Sequence, residues 1–270
     1  MKLQRILIIC FSLLLSSNIV SAQEKRTLET RVADLLARLP ANDMQFSDKL
    51  MVDMLSLGEA GLKQICDQII PAGTGDDTRA RFATESLSRF LSGKNYASNK
   101  PLWEKICISY AVGQTDVGVK DFFMKQLQLF GGIESAEAVK MYLMKKEVCN
   151  TAVAVVTAVG GKTAETILAE ALKNRELPCA TAAMNALASM RSAVAVNEYI
   201  GWAGSGDVNI KASAFNALAM SGSQLALPVL MKAAKDVSWK WEASGATASL
   251  LNFARVAGQN GDIKTMDKIC

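Results

Sequence analysis

Glu134 with Glu137, and Glu165 with Glu170, are the carboxylate pairs that could do acid–base work, because glycoside hydrolysis asks only for two acids at a set separation. Nothing distinguishes them from ordinary solvated helix charges, and acids near helix starts ordinarily serve the dipole, so no catalytic role is read into them. Histidine is absent from all 270 residues. This excludes the Ser-His-Asp and Cys-His arrangements and every histidine-based metal site. A serine could still use lysine as its base, yet no serine is followed three residues later by lysine. Gly160-Gly161-Lys162-Thr163 imitates the end of a phosphate-binding loop, but the first glycine of that motif falls on Val156 and the preceding residues read as helix rather than strand. Gly73-Thr74-Gly75 lacks a third glycine, since Thr78 stands in its place, and Asp76 or Asp77 then reads as a helix N-cap. The expectation is a chain with no catalytic residue, no metal and no cofactor.

The side chains best suited to recognition are aromatic. Trp239-Lys240-Trp241 sets two indoles one residue apart at what the repeat pattern makes a helix start, so both rings cannot point the same way. Exposed tryptophan anchors protein interfaces and stacks on sugars. The competing reading buries both rings at the end of the molecule, because Ile210 holds the column equivalent to Trp239. Trp202 ends a helix and flanks the same surface through Tyr199. The candidate binding residues are therefore Tyr199, Trp202, Trp239 and Trp241, while Trp103 reads as core.

The elements that must position these residues repeat. NALASMRSAVAV, from Asn185 to Val196, returns as NALAMSGSQLAL, from Asn216 to Leu227. Units begin at Val117, Val148, Leu177, Val208 and Val237, spaced 31, 29, 31 and 29 residues apart. Each pairs an apolar-rich helix with a second, amphipathic one. The breaks between them are Gly131-Gly132, Gly160-Gly161, Ser189-Met190-Arg191 and Ser221-Gly222-Ser223, residues that turn and cap helices. Val139 and Leu143, Ile167 and Leu168, Val196 and Ile200, and Val229 and Leu230 recur as core stripes of the second helices. Abundant alanine lets helices approach closely. A hairpin of this size cannot cover its own apolar face, and a stacked neighbour supplies the cover. Before Val117 the chain shows periodicity without self-similarity: Leu28, Val32, Leu35 and Leu39 form one helix stopped by Pro40, and helices follow over 46–57, 59–70, 76–91 and 101–112. Residues 23–116 thus read as degenerate N-terminal units and 117–270 as regular ones.

Two-helix units of about thirty residues, small polar turns, alanine and leucine columns in the first helix, and Asp207 and Asp236 at unit junctions resemble HEAT or armadillo-like repeats. The resemblance implies an all-α, right-handed α-solenoid. Such stacks present extended concave surfaces, which points to a protein or peptide partner and a non-catalytic scaffold. HEAT-like regions also precede a jelly-roll sugar-hydrolase domain in some secreted bacterial proteins. The alternative implied is an N-terminal accessory module of a larger secreted enzyme of that type.

Lys2 and Arg5 precede the apolar run ILIICFSLLL, and Val20-Ser21-Ala22 closes it with small residues, the layout of a cleavable secretory signal over residues 1–22. The expected location is periplasmic or secreted, with no membrane span once the signal is removed. Its loss takes away two positive charges and no acid, so the net charge falls from +4 to +2. A charge that small does not predict nucleic acid as a partner. Cys66, Cys107, Cys149, Cys179 and Cys270 remain, an odd number scattered among apolar neighbours, and they read as buried thiols rather than a disulfide framework.

Overall fold

The computed structural model describes residues 27–40, 43–113 and 116–270. The expected signal segment lies outside these residues. The described chain is all-α, with fifteen α-helices and two short 3-10 segments at Lys94–Asn99 and Lys140–Met144. The N-terminal part holds α1 (Leu28–Ala37), α2 (Met44–Leu55), α3 (Gly58–Cys66), α4 (Thr78–Ser92) and α5 (Lys100–Val112). Five hairpins follow: α6 (Val117–Phe130) with α7 (Ile133–Val139), α8 (Cys149–Val159) with α9 (Gly161–Leu172), and α10 (Ala180–Ser189) with α11 (Val196–Trp202). The last two are α12 (Val208–Ser221) with α13 (Leu227–Asp236), and α14 (Ala246–Gln259) with α15 (Ile263–Ile269).

Local chemistry sets the helix ends. Asp116 and Asp207 open α6 and α12, their carboxylates accepting from Gly118 N at 2.7 Å and Asn209 N at 2.8 Å. Asp76 does the same for Thr78 N at the start of α4. Asp236, the other junction aspartate, is instead paired with Lys232 at 2.6 Å. Gly160 and Gly161 both have positive φ, 70° and 60°, between helix α8 and helix α9, so this stretch is a hairpin turn. No strand precedes it, as a phosphate-binding loop would require. Helix α7 has no residue of its own segment to cap it. Glu104 of α5 reaches across instead, its Oε1 accepting from Gly132 N at 2.7 Å, Ser135 N at 3.2 Å and Ser135 Oγ at 2.6 Å. That carboxylate joins the N-terminal helices to the first regular hairpin.

The hairpins pack in sequence order. First helices lie directly on one another, α6 on α8, α8 on α10, α10 on α12 and α12 on α14. The side chains between them are small: Ala152, Ala183, Ala214 and Ala217 are fully buried. Each second helix leans on the first helix of the following hairpin. Second helices therefore stand further apart from one another, and clefts open between them. One contact skips a hairpin altogether: Arg191, at φ 52° in the turn after α10, donates from Nη2 to Gln259 Oε1 at the end of α14, at 3.2 Å.

The N-terminal helices share the same continuous core. Trp103 is fully buried and donates its indole N–H to Ser88 Oγ at 3.0 Å. Tyr110 stacks on Phe123 at 4.8 Å and donates to the Lys63 carbonyl, tying α5 to α6 and α3. Cys66, Cys107, Cys149 and Cys179 are buried free thiols, and Cys270 is exposed. Burial pushes the thiols of Cys66, Cys107 and Cys179 up from the ordinary range, which removes the reactive thiolate. Among the described residues, iodoacetamide at neutral pH is therefore expected to alkylate Cys270 on the native protein, and Cys66, Cys107, Cys149 and Cys179 only in denaturant. Mass spectrometry of both samples checks this; several groups added without denaturant would contradict the burial.

Candidate binding site

The structure separates the four aromatic residues that the sequence groups together. Tyr199 is fully buried and Trp202 is 6% exposed, so neither offers a surface to a partner. The cause is the register of α11, which turns Val196, Tyr199 and Trp202 inward as one stripe. Tyr199 donates its hydroxyl to the Ser192 carbonyl at 3.2 Å, and burial pushes its phenol up. The Trp202 indole donates to the Leu172 carbonyl at 2.9 Å, and the Arg175 guanidinium covers its ring at 4.8 Å. Both are packing residues with their polar atoms satisfied.

Trp239 and Trp241 are 51% and 75% exposed. They do not start a helix. The period places a helix at Val237, but α14 begins only at Ala246, and 237–245 is a loop. Ser238 and Trp239 both have positive φ, 53° and 60°, a region that costs a non-glycine residue roughly 1–3 kcal/mol. Such a conformation persists only where the surroundings impose it. Here Ser238 N and Trp239 N each bond back to α13, to the carbonyls of Lys235 and Ala234 at 2.8 Å. On the far side Glu242 organises the return: its Oε2 accepts from Ser244 N at 2.7 Å, and its Oε1 from Ser244 Oγ at 2.6 Å and Ala246 N at 3.0 Å. The Ser244 hydroxyl, then these backbone amides, hold the Glu242 carboxyl below the usual carboxylate range. Thr247 adds a bond to the Lys240 carbonyl at 2.9 Å. The two indoles thus project from a backbone fixed at both ends.

Beside this loop lies a groove of about 480 Å³ between α11, α12 and α13. Ile200, Phe215, Val229 and Val237 supply its apolar lining, with Lys211 and Lys232 among its polar residues. Val237 and Ser244, on either side of the tryptophan-bearing turn, both line it. On α11 it is Ile200 and Ala203 that meet the groove, while the expected residues Tyr199 and Trp202 meet the core. Lys211, Phe215 and the α13 residues that line the groove were not among the sequence candidates. The available signal was that Ile200 and Val229 sit one position off the buried stripes of Tyr199 and Leu230.

The carboxylate pairs are placed as surface charges. Glu137 and Glu170 stand on opposite walls of a second cleft, about 450 Å³, between α7 and α9. Each is in an ion pair with a lysine of its own segment, Lys140 and Lys173, at 2.5 Å. Glu134 is exposed and Glu165 half-buried. Among the described residues no cluster of three or more cysteines, aspartates or glutamates could hold a metal ion, and no helix is long and apolar enough to cross a membrane.

No protein family matches the chain, and no curated protein does. Among solved structures it is similar to the crystal structure of an engineered protein, at 17% identity and a TM-score of 0.43, covering 88% of this chain and 71% of the other.

Proposed function

We propose that this chain is an exported binding scaffold, a right-handed solenoid of HEAT- or armadillo-like hairpins that presents its surface to a protein or peptide partner in the periplasm or outside the cell. The reading gives the chain no catalytic residue and no cofactor. The observation that supports it is the strained 237–245 loop, which holds two exposed tryptophans beside an apolar groove. Backbone strain of this kind gathers at functional sites, and tryptophan is the side chain most enriched among interface hot spots.

The test is a random peptide display library panned on the full chain, with the retained peptides measured again on the Trp239→Ala/Trp241→Ala variant. The expected result is a loss of at least about tenfold in affinity, the scale of a lost aromatic anchor, with helical circular dichroism unchanged. Equal affinity for both proteins, or collapse of the helical signal, would overturn the assignment.

A further inference from the structure

Among the charged residues of the groove and the tryptophan loop, Lys211, Lys232 and Lys240 outnumber Asp236 and Glu242 by one. Lys211 lines the groove, half-buried, and Lys240 stands exposed between the two tryptophans in sequence; among the described residues neither enters a salt bridge. The acids nearby are already engaged. Asp236 is paired with Lys232 at 2.6 Å, and both oxygens of Glu242 are taken up by Ser244 and Ala246. The Lys211 charge reaches Glu242 and helps to lower its carboxyl, after the larger effects of Ser244 and Ala246, but no salt bridge forms between them. Below the charges the floor is Ile200, Phe215, Val229 and Val237.

This pattern discriminates between classes of ligand. A glycan would need a dense set of polar partners around the stacking rings, and the floor here is hydrocarbon. A nucleic acid would need many phosphate contacts, since binding strength follows the number of charges neutralised, and two unpaired lysines do not provide them. An apolar floor with a cationic rim is complementary to a chain that alternates the two opposite properties.

Taking the loop as the binding surface, we propose that the groove binds an acidic peptide segment, one aliphatic or aromatic side chain of which fills the apolar floor while flanking carboxylates meet Lys211 and Lys240. The acids of such a partner meet two cations that form no salt bridge among the described residues. The bonds of Glu242 to Ser244 and Ala246 occupy its oxygens only as hydrogen bonds and leave its charge, near Lys211, in place. The two tryptophans then cover the inserted side chain and exclude water from the ion pairs, which raises their worth over that of open surface pairs.

The probe is a pair of blocked, fluorescently labelled peptide sets read by polarisation on the full chain. In one set a central leucine, isoleucine or phenylalanine is flanked by two acidic residues on each side, and in the other every acid is replaced by its amide. The acidic set is expected to bind at least about tenfold more tightly, a preference that falls with added salt. Lys211→Gln with Lys240→Gln is expected to erase most of that preference, and Trp241→Ala to weaken both sets. If both sets bind alike and Trp241→Ala still weakens them, the acidic partner is overturned and the tryptophan loop stands as a binding surface. If neither set binds, or binding ignores Trp241→Ala, the groove assignment falls. A Trp241-dependent affinity for chitohexaose or cellohexaose in place of the peptides would put a glycan there and overturn the proposal.

Discussion

Tyr199→Ala is expected to destabilise the protein by about 3–5 kcal/mol, the range for deleting a buried aromatic ring. The ring has no solvent exposure, and it lies in the stripe of α11 that faces inward with Val196 and Trp202. Removing it leaves a cavity at the centre of the third hairpin and strands the Ser192 carbonyl, which now accepts the phenol hydroxyl at 3.2 Å. Tyr199→Phe keeps the ring and loses only that bond, so it should cost about 1 kcal/mol. Urea unfolding followed by far-ultraviolet circular dichroism separates the two. Trp241→Ala is the control, an exposed side chain whose loss should move stability by no more than about 0.5 kcal/mol. If Tyr199→Ala proved as mild as the control, the inward register of α11 would be wrong.

The second large effect belongs to Glu104→Ala. Its carboxylate is the cap of α7, taking three donors from a segment about thirty residues away in sequence. Alanine leaves the fully buried Ser135 hydroxyl and two backbone amides without their partner. Hydrogen bonds to a charged group and the cost of an unsatisfied buried donor together come to about 3 kcal/mol. Glu104→Gln retains an acceptor oxygen without the charge and should lose about half as much. The damage should be local. Hydrogen exchange is expected to accelerate first over 132–139 and at the junction with α5, while 208–259 keeps its protection. Uniform acceleration along the chain would mean that Glu104 does not act as a cap.

Much of the architecture was legible because hairpin stacking writes itself into sequence twice, as a period and as small residues at the turns. Val117 and Val208 open their helices, and Val148 and Leu177 fall within three residues of helix starts. The Gly160-Gly161 turn and the Asp207 cap are local chemistry and could be read from neighbours. What could not be read depends on distant partners. Glu104 caps a helix in another hairpin, and nothing in its own segment marks it. The seven-residue α11 is too short for periodicity to decide between a stripe through Tyr199 and one through Ile200, and packing against the neighbouring hairpins settles it. The fifth unit broke the period because the Glu242 side chain competes for the amides of Ser244 and Ala246. That competition holds the backbone in a loop where the repeat alone would continue a helix.

The bond from Arg191 to Gln259 alters how the last three hairpins bend. A stack whose units touch only their neighbours can be described junction by junction, each joint flexing on its own. A link that skips the middle unit couples two joints, so opening one strains the other. Its strength is modest, about 1 kcal/mol for an exposed hydrogen bond. A movement that opens either joint must stretch or break this bond, so α12 and α13 lie between two hairpins that are tied to each other.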